Sequence, residues 1–318
     1  MKEFSVGLRN LLLASLVSAL TLPAALTRTT GWAPALVGHG AHPGAGPTSR
    51  SVRADPPVAR QQRIYFPAAA SSRPKVYHGA GIVLLTDADI DGKAVLARLG
   101  AVEHFLKRLL PAPCPASASR PSRPARSTAR PVVLALYRRR DDYLALWRRV
   151  EAHYKGRLGD VATEGFSYRV FGATSCEGDR ICRRHEAVLC HEFAHLWLYQ
   201  RRGLRNDGNW LTEGLANAVQ LHFFPESGDR RAFVRWLDAG RMLPLKRLMD
   251  LERIAPKDYW QAATLVELLA ARYRAELPAV LRAFNEGRSA YAIVSGVLKT
   301  DFVTLQRQWA DYVRRGRR

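Results

Sequence analysis

The segment VLCHEFAHLWLYQ, residues 188–200, constrains the fold of this chain more than any other stretch. Its long apolar run predicts a single buried helix. His191 and His195 are four residues apart, so they lie on the same helical face, roughly 5–6 Å apart at Cβ. Two imidazole nitrogens at that spacing can bind one zinc ion. Glu192 follows the first histidine, where a carboxylate can take a proton from a metal-activated water.

A third candidate ligand, Glu213, lies eighteen residues after His195 in the segment WLTEGLANAV. Two histidines and one glutamate are a standard zinc set that leaves the fourth position open. The intervening loop, residues 201–209, is expected to fold a second helix back against the first. Gly203 is expected to end the first helix, and residues 207–209 to begin the second. We expect the small Gly214 and Ala216 to let these two helices approach closely.

HEFAH followed by WLTEGLA resembles the gluzincin zinc metallopeptidases, and within them the peptidase MA-like family. The resemblance implies a zincin-like α+β fold. A small mixed β-sheet would form an N-terminal lobe with the active-site helix, followed by an all-helical C-terminal lobe. It also implies one Zn2+ per chain, held by His191, His195 and Glu213. The aminopeptidase branch carries a Gly-x-Met-Glu-Asn segment for the substrate amine, and this chain has none. The resemblance therefore does not imply an aminopeptidase.

The resemblance implies hydrolysis of peptide bonds through a zinc-activated water, with Glu192 as general base. Related gluzincins use a Tyr or His from the helical lobe to stabilise the oxyanion. Tyr259 is the catalytic candidate here, with a packing aromatic as the alternative, and His222 and Tyr273 are weaker candidates. Asn217 is placed to accept a hydrogen bond from a zinc-bound histidine. The alternative function is an inactive, metal-stabilised gluzincin-like binding module attached to an anionic cell envelope.

The order of elements fits this fold. Residues 81–89 and 131–137 predict strands, each followed by a helix, over 89–110 and 141–154. Residues 166–172 predict another strand, the sheet edge with which an extended peptide would pair above the metal. After Glu213 the apolar rhythm is helical throughout. Residues 76–318 are therefore interpreted as one metallopeptidase domain, with a Pro- and Arg-rich loop at 111–131.

The N-terminus indicates export. Residues 1–26 have the short charged start and the apolar run of a signal peptide, and an uncleaved membrane anchor is the alternative. Residues 27–75 are rich in Ala, Gly, Pro, Ser and Arg and predict a disordered tether. The protein is thus expected to be periplasmic or extracellular. Export permits a disulfide, and Cys176 with Cys182 is the expected pair, whereas Cys190 is expected to be a buried apolar residue.

The net charge of +21 is carried mostly by arginine. One interpretation is a compositional bias with a solvated surface, and the other is attraction to an anionic envelope surface. The arginines are scattered without an aromatic-interleaved groove, so no specific nucleic-acid partner is expected. The expected substrate is a peptide or a protein.

Overall fold

The structure is a computed structural model that describes residues 74–110, 131–154, 164–168, 171–176 and 181–316. The predicted signal peptide or anchor at 1–26 lies outside the described residues. So do the tether up to residue 73 and the Pro- and Arg-rich loop up to residue 130. None of the helices in the described part of the chain combines the length and the apolar character that a membrane crossing requires.

Five strands form one mixed sheet. They are β1 (Lys75–Gly79), β2 (Ile82–Thr86), β3 (Val132–Tyr137), β4 (Gly165–Tyr168) and β5 (Phe171–Ser175). Their order across the sheet is β1-β2-β3-β5-β4. The inner strands β2, β3 and β5 are parallel, and the edge strands β1 and β4 pair antiparallel with their neighbours. The inner strands are fully buried because helices cover both faces of the sheet.

The prediction of a single strand at 166–172 was wrong. Tyr168 pairs with Phe171, so the chain reverses within that segment and forms the two antiparallel strands β4 and β5. Phe166 and Phe171 belong to the same buried cluster, with ring centroids 5.8 Å apart. Because apolar residues lie on both sides of the reversal, the sequence pattern predicted one continuous strand. Strand β1 was also not foreseen, because its mostly exposed residues carry no apolar run.

Three helices accompany the sheet: α1 (Gly92–Leu109), α2 (Arg140–Tyr154) and α3 (Arg183–Arg202). Alternate residues of each strand face opposite sides. Val83 and Leu85 belong to the core shared with α2, whereas Ile82 and Leu84 belong to the larger core shared with α1 and α3. The predicted helices at 89–110 and 141–154 are thereby confirmed, within a few residues at their ends. The helix α3 carries the HEFAH segment along the larger core.

The remainder of the chain is helical, as predicted. Its α-helices are α4 (Trp210–Phe223), α5 (Arg230–Asp238), α6 (Leu245–Asp250), α7 (Tyr259–Arg272), α8 (Leu277–Asn285) and α9 (Phe302–Arg315). Short 3-10 turns occupy Pro225–Ser227 and Pro256–Asp258, and a π-helical turn occupies Ala292–Val297. Helix α4 packs against both α3 and α7. The described chain is thus α+β, with a small mixed sheet followed by helices.

The turn between α3 and α4 is built as the sequence predicted. Gly203 follows α3 in the left-handed conformation, with φ of 67°, which glycine adopts without steric cost. Asn209 caps α4 by accepting hydrogen bonds from the backbone N–H groups of Leu211 and Thr212, at 3.1 and 3.0 Å. This cap satisfies donors that begin a helix without intrahelical partners. The two ends fix how α4 returns beside α3.

Gly214 has a different partner from the one predicted. A Cβ at this position would lie only 2.7 Å from the carbonyl oxygen of Ala262, which belongs to α7. The missing side chain therefore allows close approach of α4 and α7, rather than of α3 and α4. The sequence shows that a helical residue is small, but it does not show which neighbouring helix that residue faces.

The expected disulfide between Cys176 and Cys182 is absent. Cys176 is buried and donates a hydrogen bond to the carbonyl oxygen of Tyr137, at 3.4 Å. Cys182 is exposed just before α3, with its Sγ 2.9 Å from Nδ1 of His185. Each thiol thus has its own local contact. Cys190 is buried, as predicted, and burial raises the pKa of its thiol to about 12.

Candidate metal centre

Helices α3 and α4 bring three potential ligand atoms together. Nε2 of His191 lies 3.1 Å from Nε2 of His195, and Oε2 of Glu213 lies 3.3 and 3.5 Å from these two nitrogens. All three side chains are buried. The i, i+4 spacing on α3 supplies the two imidazoles, and the cap at Asn209 places Glu213 in the first turn of the returning helix. This group can hold a metal ion.

The charges within this group favour a cation. Burial opposes a positive charge on His191, but the carboxylate of Glu213 outweighs that effect and raises the pKa of His191. Burial alone would raise the pKa of Glu213, but attraction to His195 and His191 holds it well below its usual range. Glu213 is therefore ionised, and it faces two imidazole nitrogens across a short gap. A divalent ion would satisfy all three groups.

Several polar atoms of the group support this interpretation. Oε2 of Glu213 is buried and has no hydrogen-bond donor among the described residues. A buried polar atom without a partner is costly and indicates a function or an absent ligand. The Nδ1 atoms of His191 and His195 also have no partner in the described part of the chain, so neither histidine donates the predicted hydrogen bond to Asn217. Gln220, one turn further along α4, lines the cavity beside His191 and contributes to its raised pKa.

Glu192 lies at the same site, beneath strand β4. A Cβ at Gly165 would lie 2.9 Å from Cγ and 3.1 Å from Oε1 of Glu192, so only glycine lets the strand approach the carboxylate this closely. The side chain is buried, and burial raises the pKa of Glu192 against the opposing attraction of His191 and His195. A carboxylate whose pKa is raised towards neutrality is better suited to accept a proton.

A series of hydrogen bonds connects the loop before α4 to the carboxylate of Glu192. Nδ2 of Asn206 donates a hydrogen bond of 3.0 Å to Oγ of Ser167 on β4. The Ser167 hydroxyl in turn hydrogen-bonds to Glu192 and lowers its pKa, although less than burial raises it. Oδ1 of Asn206 accepts from the backbone N–H of Gly208, at 3.3 Å. The orientation of Glu192 thus depends on β4 and on the loop between α3 and α4.

Of the three oxyanion candidates, only Tyr259 lies at the site. It is the first residue of α7, and its ring stacks on His191 with centroids 6.1 Å apart and planes 13° apart. Burial and the charges of Glu213 and Glu192 raise the pKa of Tyr259, so its hydroxyl stays protonated as a donor. His222 instead stacks on Phe105 at 4.2 Å, and the hydroxyl of Tyr273 donates to Oε1 of Gln308 at 2.6 Å.

A cavity of about 580 Å³ opens onto the group. Its walls include the four residues of β4, the candidate ligands with Glu192, and Tyr259. Strand β4 forms one edge of the described sheet, and its residues line the cavity. The sequence predicted such an edge above the metal, although it placed the edge strand one residue late and ran it on into β5.

Some residues of the site were not identified from the sequence. Gly165 and Ser167 belong to a strand too short to show an apolar rhythm, and their alternation with Phe166 is the only local signal. Asn206 resembles any polar loop residue. Comparison of the sequence with models of known protein families and with functionally characterised proteins gives no match. The chemistry of the site therefore rests on its own geometry.

Proposed function

We propose that this protein is an exported zinc-dependent metallopeptidase with a zincin-like fold, of the gluzincin type and similar to the peptidase MA-like family. One observation carries the proposal. A buried pair of histidines and a buried glutamate converge to within ion-binding distance, and a second buried glutamate follows directly after the first histidine. A purely structural zinc site is closed by four protein ligands and needs no base. Here three candidate ligands and an adjacent carboxylate face a cavity large enough for several residues of a peptide.

Zinc is the proposed ion because two imidazoles and one carboxylate in a compact cluster suit it better than Mg2+ or Ca2+, which prefer oxygen ligands. The group fits the ion on its own evidence, since Oε2 of Glu213 is buried without a donor in the described chain. When bound by His191, His195 and Glu213, zinc would polarise the scissile carbonyl and lower the pKa of a water molecule.

The chain's own residues then have distinct roles. Glu192 accepts a proton from the attacking water and returns it to the nitrogen of the leaving amine, so that the peptide bond breaks without release of a strong base. The hydroxyl of Tyr259 donates a hydrogen bond to the carbonyl oxygen as negative charge develops there. The edge strand β4, which lines the cavity, would pair with the extended backbone of the substrate and hold the scissile bond beside Glu192.

The first experiment measures metal content and peptide hydrolysis in the full chain and in two variants. We expect about one zinc per chain in the parent and in Glu192→Gln, and a loss of affinity of more than about 100-fold in Glu213→Gln. Glu192→Gln should retain metal and lose hydrolysis. Glu103→Gln serves as the matched control, because it removes a carboxylate that pairs with the surface residue Lys107 on the same helix and does not line the cavity.

The outcomes separate the alternatives. A parent chain that takes up no zinc would refute the metallopeptidase proposal. A chain that binds zinc but hydrolyses no peptide in a broad library would instead support the metal-stabilised binding module. Export is a separate part of the proposal and is tested by cell fractionation. A mature N-terminus after residue 26 would indicate cleavage of the signal, whereas a membrane-associated intact chain would indicate an anchor.

A further inference from the structure

Two arginines line the same cavity as the candidate metal ligands. Arg205 lies in the loop between α3 and α4, and Arg253 lies between α6 and the Pro256–Asp258 turn that precedes Tyr259. Both are exposed to solvent, so a ligand that enters the cavity can reach them. They approach it from two loops that are far apart in sequence.

The two loops are fastened to each other. The backbone N–H of Ile254 donates a hydrogen bond of 2.9 Å to the carbonyl oxygen of Gly208. A Cβ at Gly208 would lie 2.9 Å from Nε and 3.0 Å from Cγ of Arg253, so the arginine stem lies directly along the glycine backbone. The positive charge of Arg253 also acts on Tyr259, where it opposes the rise in pKa. Arg253 is therefore held beside the cavity rather than extended at random into solvent.

Within the part of the chain that the structure describes, no acidic side chain forms an ion pair with either of these arginines. Glu164, which also lines the cavity, is ion-paired with Arg184. Glu192 and Glu213 belong to the metal centre. Asp207 lines the cavity as well, but among the described residues no carboxylate lies within ion-pair distance of Arg205 or Arg253. The N–H donors of both guanidinium groups are thus available to a ligand that enters the cavity.

We infer that Arg205 and Arg253 form a carboxylate-binding subsite, and that the substrates are peptides with a carboxylate close to the scissile bond. A guanidinium presents a planar fork of donors that matches a carboxylate with two parallel hydrogen bonds. This inference rests on the proposed function for its substrate class. The carboxylate is either the C-terminus of the peptide or the side chain of an Asp or Glu residue, and both present the same chemistry to the subsite.

Binding is measured first in the full-length Glu192→Gln chain loaded with zinc, so that hydrolysis does not interfere. The probes are a short N-acetylated peptide with a free C-terminal carboxylate and its C-terminal carboxamide, followed by an Asp-containing carboxamide peptide and its Asn counterpart. We expect one acidic probe to bind about tenfold more tightly than its neutral partner, a modest factor because both arginines are exposed. The pair that shows the preference identifies the source of the carboxylate.

Adding Arg253→Gln or Arg205→Gln should abolish most of that preference by weakening the acidic probe far more than the neutral one. Arg241→Gln removes the same charge from an exposed position that does not line the cavity, and it should keep the preference. Equal binding of acidic and neutral probes, or a preference that survives both cavity substitutions together, would overturn the inference. Because the assay measures binding, a failure of hydrolysis in the parent chain refutes the proposed function without altering this result.

Discussion

Gly165→Ala should slow peptide hydrolysis without removing the bound metal. The added Cβ would lie 2.9 Å from Cγ and 3.1 Å from Oε1 of Glu192, and 2.7 Å from Cγ1 of Val188. Carbon atoms in favourable contact are about 3.5–4.0 Å apart, so these two carbon contacts are too short by about 0.6–1.3 Å. The carboxylate or the strand must move by a comparable distance. A misplacement of about 1 Å at a reacting group costs about 100-fold in rate, so we expect kcat/KM to fall about 10- to 100-fold.

The assay compares kcat/KM on a peptide substrate with zinc content and the free energy of unfolding. Overpacking should reduce that free energy by about 1–3 kcal/mol, while zinc content stays near that of the parent because the three ligands lie on helices. Gly100→Ala is the matched control. A Cβ there meets no atom within 4 Å, and alanine in a helix interior should stabilise by about 0.5–1 kcal/mol.

A second variant separates the two overlaps at this position. Val188→Ala combined with Gly165→Ala removes the contact with Val188 but leaves the contact with Glu192. We expect the free energy of unfolding to recover in part and the activity to remain low. Full activity in Gly165→Ala at normal zinc content would show that the position of Glu192 does not limit the reaction, and the proposed role of β4 would be refuted.

Three further predictions concern the frame of the site and its protonation. Gly214→Ala should lower the free energy of unfolding by about 1–3 kcal/mol in a denaturant titration, because its Cβ would lie 2.7 Å from the Ala262 carbonyl oxygen; a neutral result would contradict the tight packing of α4 on α7. Asn209→Ala should cost about 1 kcal/mol in the same titration through loss of the α4 cap, and Asn209→Asp should restore most of it. Zinc affinity should fall about tenfold per pH unit once the pH drops below the raised pKa of His191, because the metal must displace the proton of the imidazole. Calorimetry in buffers of different ionisation enthalpy should detect release of this proton. A zinc affinity independent of pH would contradict displacement of a proton from His191.

The candidate metal-binding group is the part of the protein that the sequence predicted best. The i, i+4 spacing of His191 and His195 places both rings on one helical face whatever surrounds the helix. The loop before Glu213 is short, and Gly203 and Asn209 occupy its two ends, where helix termini favour these residue types. The second helix therefore returns beside the first. Local rules therefore sufficed to predict that the two histidines and Glu213 lie close together.

The residues that surround Glu192 could not be found in this way. Ser167 and Asn206 are hydrogen-bonded to each other across 39 positions, and no spacing rule joins a four-residue strand to a loop residue. The contact of Gly214 with α7 was assigned to the wrong helix for a similar reason. A small residue indicates that another element packs closely at that position, but which element it is depends on how all the helices pack together.

The sequence by itself determined which residues can bind the metal, the α+β composition and the helical character of the second half, because each depends on contacts within a few turns of the chain. Tertiary structure decided that residues 166–172 divide between two strands and that Cys176 and Cys182 remain thiols. It also decided that Tyr259, and not His222 or Tyr273, reaches the candidate metal centre. These outcomes depend on which helices and strands contact each other in the folded core. Such contacts join residues that are far apart in sequence, so no short segment specifies them.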